Sequence, residues 1–127
     1  MSAESVVQAA ILTAVRAVAG VNGVYLGPPT KATPPYAELG ELLGGDWSVK
    51  DRAGRELRLI VTVRDAGESA TRAQALAGAV GAAIEAVPRD LAGWRVASVV
   101  LVRSRCAAAA AGRWNASVEY RVRVLAA

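Results

Sequence analysis

The stretch Arg113 to Leu125 alternates without a break. Trp114, Ala116, Val118, Tyr120, Val122 and Val124 take one parity; Asn115, Ser117, Glu119, Arg121 and Arg123 take the other. Period two over that length marks a β-strand with one dry and one wet face. Such a strand belongs in an antiparallel sheet, and its dry face must be covered by something else in the chain. That requirement organises the rest of the sequence.

Two segments have the periodicity to supply the cover. In Ala3 to Ala19, Val7, Ile11, Ala14 and Val18 form one apolar stripe at helical spacing. Ser2 is placed to cap it, Glu4 suits its first turn, and Gly20 stops it. The second helix is expected over Ala70 to Val87, with Ser69 as N-cap and Pro88 beyond its end. Ala73, Leu76, Ala77, Val80 and Ile84 form its core stripe, while Ala75, Gly78, Ala79, Ala82 and Ala86 make its other side small. Gly78 and Gly81 each cost roughly 1 kcal/mol of helix propensity. The small side reads either as a solvated alanine-rich face or as close packing against another backbone.

The remaining segments are extended. Val24 to Leu26 is a short strand, and the prolines at 28, 29, 34 and 35 make Gly27 to Pro35 a loop. Tyr36 to Trp47 has no clean face, which suggests an edge strand with a bulge at Gly44-Gly45. Val49 to Gly54 is a polar turn leading into Arg55 to Asp65, where Leu57, Leu59, Val61 and Val63 share one side. Trp94 to Arg105 is apolar on both parities through Val99, Val100, Leu101 and Val102, which predicts a central strand covered on both faces. Ala107 to Gly112 reads as a connection. The predicted order is α-β-β-β-α-β-β in one domain spanning residues 1–127. The fold class is α+β: a mainly antiparallel sheet of four to five strands with two helices packed on it. With both helices on one face, Ile60, Val99 and Leu101 would leave an apolar middle on the other, and a partner subunit is the expected cover.

Composition narrows the chemistry. The chain has no histidine and one cysteine, Cys106, so a Ser-His-Asp triad, a His metal site and an internal disulfide are all excluded. Neither a dinucleotide nor a P-loop glycine pattern is present. Glu38 and Glu41 stand three apart on an extended segment, hence on opposite faces, and Asp46 and Asp51 flank a turn; neither pair reads as an acid/base couple. No catalytic, cofactor or metal site is expected. No leader is recognised, and no run of about 20 apolar residues predicts a membrane span. Folding in the cytoplasm, with Cys106 reduced, is the expectation.

The formal charge of +4 is mild. Arg58, Arg64, Arg95, Arg103, Arg105, Arg121 and Arg123 share one parity of three strands, whereas Trp94, Trp114 and Tyr120 fall on the apolar one. The arginines therefore lack the interleaved aromatics of a base-stacking surface. They read as a solvated or interface face or, alternatively, as a small basic nucleic-acid-binding module that contacts phosphate through an arginine-rich sheet face.

An ordered set of short marks runs through the chain. After the N-terminal helix come Val24-Tyr25, Pro35-Tyr36 with Leu39-Gly40-Glu41, Asp46-Trp47-Ser48 and Arg55-Glu56-Leu57. The alanine-rich helix follows, then Leu91-Ala-Gly93-Trp94-Arg95, Gly112-Arg113-Trp114 and Tyr120-Arg121-Val122-Arg123. Over nearly its whole length the chain resembles the tail-completion, or tail-terminator, proteins of long-tailed phages and of alphaproteobacterial gene transfer agents. Cys106 to Ala111 departs from that pattern, where a more polar turn is usual. The resemblance implies a non-catalytic virion protein without cofactor, assembled in the bacterial cytoplasm. It would form a homo-oligomeric ring, usually a hexamer, at the head-proximal end of the tail tube. Its implied partners are further copies of itself, the major tail tube protein and a head-side stopper or connector, with DNA as passing cargo and no membrane. A ring needs two different complementary patches per subunit. The expected subunit contacts are Ala75, Gly78, Ala79 and Ala82 on the second helix and Trp47, Lys50, Asp51 and Arg52 in the hairpin. Arg58, Arg103, Arg105, Arg121 and Arg123 are the candidates for facing the lumen and its DNA.

Overall fold

A computed structural model describes all 127 residues. In chain order the elements are α1 (Ala3–Arg16), β1 (Val24–Leu26), β2 (Tyr36–Asp46), β3 (Gly54–Ala66), α2 (Thr71–Glu85), β4 (Asp90–Leu91), β5 (Trp94–Ala110) and β6 (Arg113–Ala126). The strands form one six-stranded sheet in the order β1-β2-β3-β6-β5-β4. Both helices pack on one face, so the class is α+β as expected, but the strand count and pairing differ. Six strands pair rather than four or five, and β1 runs parallel to β2 through Val24↔Ala37, Tyr25↔Glu38 and Leu26↔Leu39.

The centre of the sheet is β3 and β6, paired without a slip from Gly54↔Leu125 to Ala66↔Arg113. Their inward residues, Leu57, Val61, Val63, Tyr120, Val122 and Val124, are at most 1% exposed. Against them lie Val7, Ile11 and Val15 of α1 and Ala73, Val80 and Ile84 of α2. Each large apolar side chain buried this way contributes roughly 1.5–3 kcal/mol. Ser2 caps α1 as expected, its Oγ accepting from the Ser5 amide, though the helix ends at Arg16 instead of continuing to Ala19. At α2 the N-cap position is Ala70 and has no side-chain cap.

Asp65 anchors the start of α2. It is 4% exposed, and its carboxylate accepts from Arg72 Nε at 2.8 Å, Arg72 Nη2 at 2.6 Å and the Ala66 amide at 2.8 Å. The Arg72 hydrogen bonds outweigh burial and hold this carboxyl below its usual range. A depressed native pKa stabilises the fold above the unfolded value near 3.8 and loses that contribution as pH falls through the native one. Acid unfolding followed by circular dichroism is therefore expected to show a component that Asp65→Asn removes.

Three sequence expectations are corrected. First, β5 is not a central strand covered on both faces: β4 spans only two residues, and everything beyond Val102 is exposed. Second, β5 continues through Ala107–Ala110 and turns at Gly112 (φ +68°), so the expected connection is strand. Third, the β2 bulge lies between Leu39 and Leu42, while Gly44 and Gly45 pair regularly with Leu57 and Glu56. That bulge also breaks the period-two relation assumed between Glu38 and Glu41.

Candidate functional site

The uncovered face of the sheet is an ordered array of charge. Register places Arg64, Glu38, Arg58, Glu56, Glu119, Arg121, Arg123, Arg103 and Arg105 on it, because their opposite partners are outward on each neighbouring strand. Its middle is not the apolar patch expected. Val99 and Leu101 oppose Val122 and Tyr120 and so lie on the helix side; only Ile60, Leu43 and Val100 bring exposed apolar surface outside.

Arg58 and Arg121 stand directly opposite each other, a repulsive pair left to itself. Diagonal glutamates relieve it. Glu119 receives Arg58 at 3.4 Å and Arg103 at 3.2 Å, and Glu56 receives Arg123 at 2.9 Å and Arg121 at 3.8 Å. Glu38 accepts from Nε and Nη2 of Arg64, at 3.2 and 3.1 Å. The Glu38 hydrogen bond raises Arg64 above its ordinary value against the opposing effect of burial. Arg123 also lies 5.2 Å from the Trp47 ring centroid, a cation–π contact. Among these nine residues six arginines face three glutamates, a local surplus of three positive charges, and register adds Arg95, paired with Asp90, and Arg113 at the ends of the same face. Arg105 is the one arginine among the six with no carboxylate partner.

The structure gathers the five expected lumen arginines, Arg58, Arg103, Arg105, Arg121 and Arg123, on this one face. It does not bring the two expected contact groups together. Ala75, Gly78, Ala79 and Ala82 are exposed along α2, and a Cβ at Gly78 would meet nothing within 4 Å. Lys50, Asp51 and Arg52 are exposed in a turn closed by a Val49↔Arg52 bridge, beside α1 through the Arg55–Glu4 ion pair at 3.2 Å. Trp47 is half-buried under Arg123. Sequence parity puts Glu119 beside Arg121 and Arg123 but does not show that it and Glu56 serve as shared counter-charges. Diagonal pairing depends on strand order, which parity does not reveal.

On the helix side, an open groove of about 450 Å³ runs between α2 and the β5–β6 hairpin. Its one carboxylate, Glu85, accepts from the Tyr120 hydroxyl at 2.5 Å, directly beside Gly81. Burial first, and then the Glu85 hydrogen bond, push the Tyr120 phenol well above its ordinary value of 10.0. A raised native pKa leaves stability intact below the unfolded value and removes it as pH rises past about 10. Thermal melts are expected to fall in that alkaline range for the parent chain and to fall less for Tyr120→Phe.

The domain has two layers, helices over a sheet, and its uncovered sheet face carries an ion-paired array of charge. The family model described as tail completion protein gp17 matches residues 6–125, and the chain belongs to that family of structural tail proteins. A solved chain from the virion of a native gene transfer agent particle is similar in fold, with a TM-score of 0.82 at 24% identity. The match covers 98% of this chain and 99% of that one. No curated protein sequence matches.

Proposed function

We propose that the chain is a tail terminator. Copies close into a ring, hexameric as the resemblance implies, on the head-proximal end of a tail tube. The ring halts tube growth and offers its other side to the head-side connector, and DNA passes through its lumen. Shape and contact perform this work, with no reaction catalysed, and assembly takes place in the bacterial cell before the particle is complete. The observation that carries the reading is the family match over residues 6–125. Two features support it. The exposed small-residue face of α2 and the Trp47–Arg52 turn are separate surfaces, as a head-to-tail ring requires. Most of the outward arginines are engaged by glutamates of the same face, which leaves a moderate positive surplus and suits a wall past which DNA must slide.

Electron microscopy of tails from a strain lacking the gene tests the role. Tails of irregular length that fail to join heads are expected; tails of normal length bearing heads would overturn it. The alternative, a nucleic-acid-binding module, requires tight, steeply salt-dependent duplex binding by the purified parent chain.

A further inference from the structure

The sheet ends in two uncovered edges of opposite charge. On one side, β4 covers only Trp94 and Arg95, and the Val96 amide bonds the Arg89 carbonyl. From Ala97 to Ala110 the outer edge of β5 has no strand beside it. On the other side, β1 covers Ala37–Leu39 and the Gly27 amide bonds the Leu39 carbonyl, leaving the edge of β2 bare from Gly40 to Asp46. Unpaired edges of this kind are templates for another strand.

The charges sort completely between them. The bare part of β5 carries Arg103 and Arg105 and no acid; the bare part of β2 carries Glu41 and Asp46 and no base. Arg105 and Glu41 are both exposed, and neither has an ion-pair partner within its own chain. Pairing β5 with β5 of another copy sets arginine against arginine, and pairing β2 with β2 sets acid against acid. Only the unlike pairing is favourable. We infer that copies of this chain join edge to edge, β5 of one subunit adding to β2 of the next so that the sheet continues across the boundary. The contact is heterologous, with each copy offering one edge and accepting at the other, which is the geometry from which closed rings are built. The bulges of β5 at Val96/Ser98 and Leu101/Arg103 then act against indiscriminate pairing rather than against all pairing.

This inference deepens the ring reading and rests on it. Its test is self-association of the full-length chain at low salt, followed by sedimentation velocity up to millimolar concentration. Arg105→Glu and Glu41→Arg are each expected to weaken association about tenfold, and the double variant to recover most of it. Amide exchange in residues 40–46 and 97–110 is expected to slow on association in the parent chain. Circular dichroism establishes that the variants are folded. Association that ignores both single changes, a double variant no better than the singles, or a parent chain that stays monomeric throughout would each overturn the edge contact. The ring reading is judged separately, by the tails of the deletion strain.

Discussion

Gly81→Leu is expected to destabilise the domain by about 3–4 kcal/mol, whereas Gly78→Leu leaves it at least as stable as the parent. The two glycines lie one helical turn apart on α2, and sequence assigns both the same propensity cost. Their surroundings separate them. Gly81 is buried, and a Cβ there would come within 2.9 Å of the Tyr120 hydroxyl. Tyr120 is itself 1% exposed and its ring is packed in the buried core. A leucine side chain at 81 displaces the ring, which costs roughly 1–3 kcal/mol of overpacking. It also breaks the Tyr120–Glu85 hydrogen bond, worth roughly 1.5–3 kcal/mol because the acceptor is charged. Escape from glycine returns about 0.8 kcal/mol of helix propensity. For a domain of this length the net loss corresponds to a fall in Tm of roughly 10–20 °C. At Gly78 the same substitution enters open solvent and keeps only the propensity gain. If the small face of α2 is a subunit contact, the Gly78 variant folds yet assembles poorly. Thermal melts by circular dichroism, paired with sizing of both variants, check the two outcomes. Equal melting temperatures would show that Gly81 is not under Tyr120.

How much of this was legible depended on whether one local pattern could decide it. The alternation of β6 was readable because β6 is a central strand with no bulge against β3, and its parity holds from end to end. The stripes of α1 and α2 were readable for the same reason at helical period. In β5, parity misled. Val99 to Val102 are apolar in succession, which resembles a strand buried on both faces. In the structure, slips at Val96/Ser98 and Leu101/Arg103 move the helix-facing set from Val96 to Val99 and Leu101, then to Ser104 and Cys106. Both parities face the helices in turn, so both carry apolar residues, with only one face covered. Ala107 to Gly112 reads as a connection because its residues are all small; cross-strand pairing to Arg113–Asn115 makes Ala107–Ala110 strand despite alanine's weak strand preference. The parallel β1–β2 pair involves three residues a side, too few to leave a pattern. The same limit applies to the charged face. Sequence puts Glu119 and seven arginines on one parity, but which carboxylate serves which guanidinium is fixed by strand order between distant segments.

Freeing those guanidinium groups is expected to convert the sheet face into a strong DNA-binding surface. The double substitution Glu56→Gln and Glu119→Gln keeps side-chain size and removes the two carboxylates that engage Arg58, Arg103, Arg121 and Arg123. The surplus of positive charge within this central cluster rises from three to five. Four arginines then become available to phosphate, and each phosphate neutralised steepens the dependence of log K on log salt by about 0.9. The slope should therefore steepen by up to about 3.6, with duplex affinity at low salt rising on the order of a hundredfold. The parent chain is expected to bind weakly, because its arginines must give up ion pairs within the sheet before they can engage a phosphate. Removing the glutamates also exposes the Arg58–Arg121 repulsion across β3 and β6, so a loss of about 1 kcal/mol in stability is expected alongside. Fluorescence anisotropy with a short duplex over a salt series reads both slope and affinity, and circular dichroism confirms the fold. A double variant that binds no better than the parent would show that the face does not meet DNA phosphate and would remove these arginines from the lumen. A parent chain that already binds tightly and steeply would instead favour the nucleic-acid-binding module. The expected result is the one suited to a conduit: a wall positive enough not to repel its cargo, with its strongest attractions already satisfied by its own carboxylates.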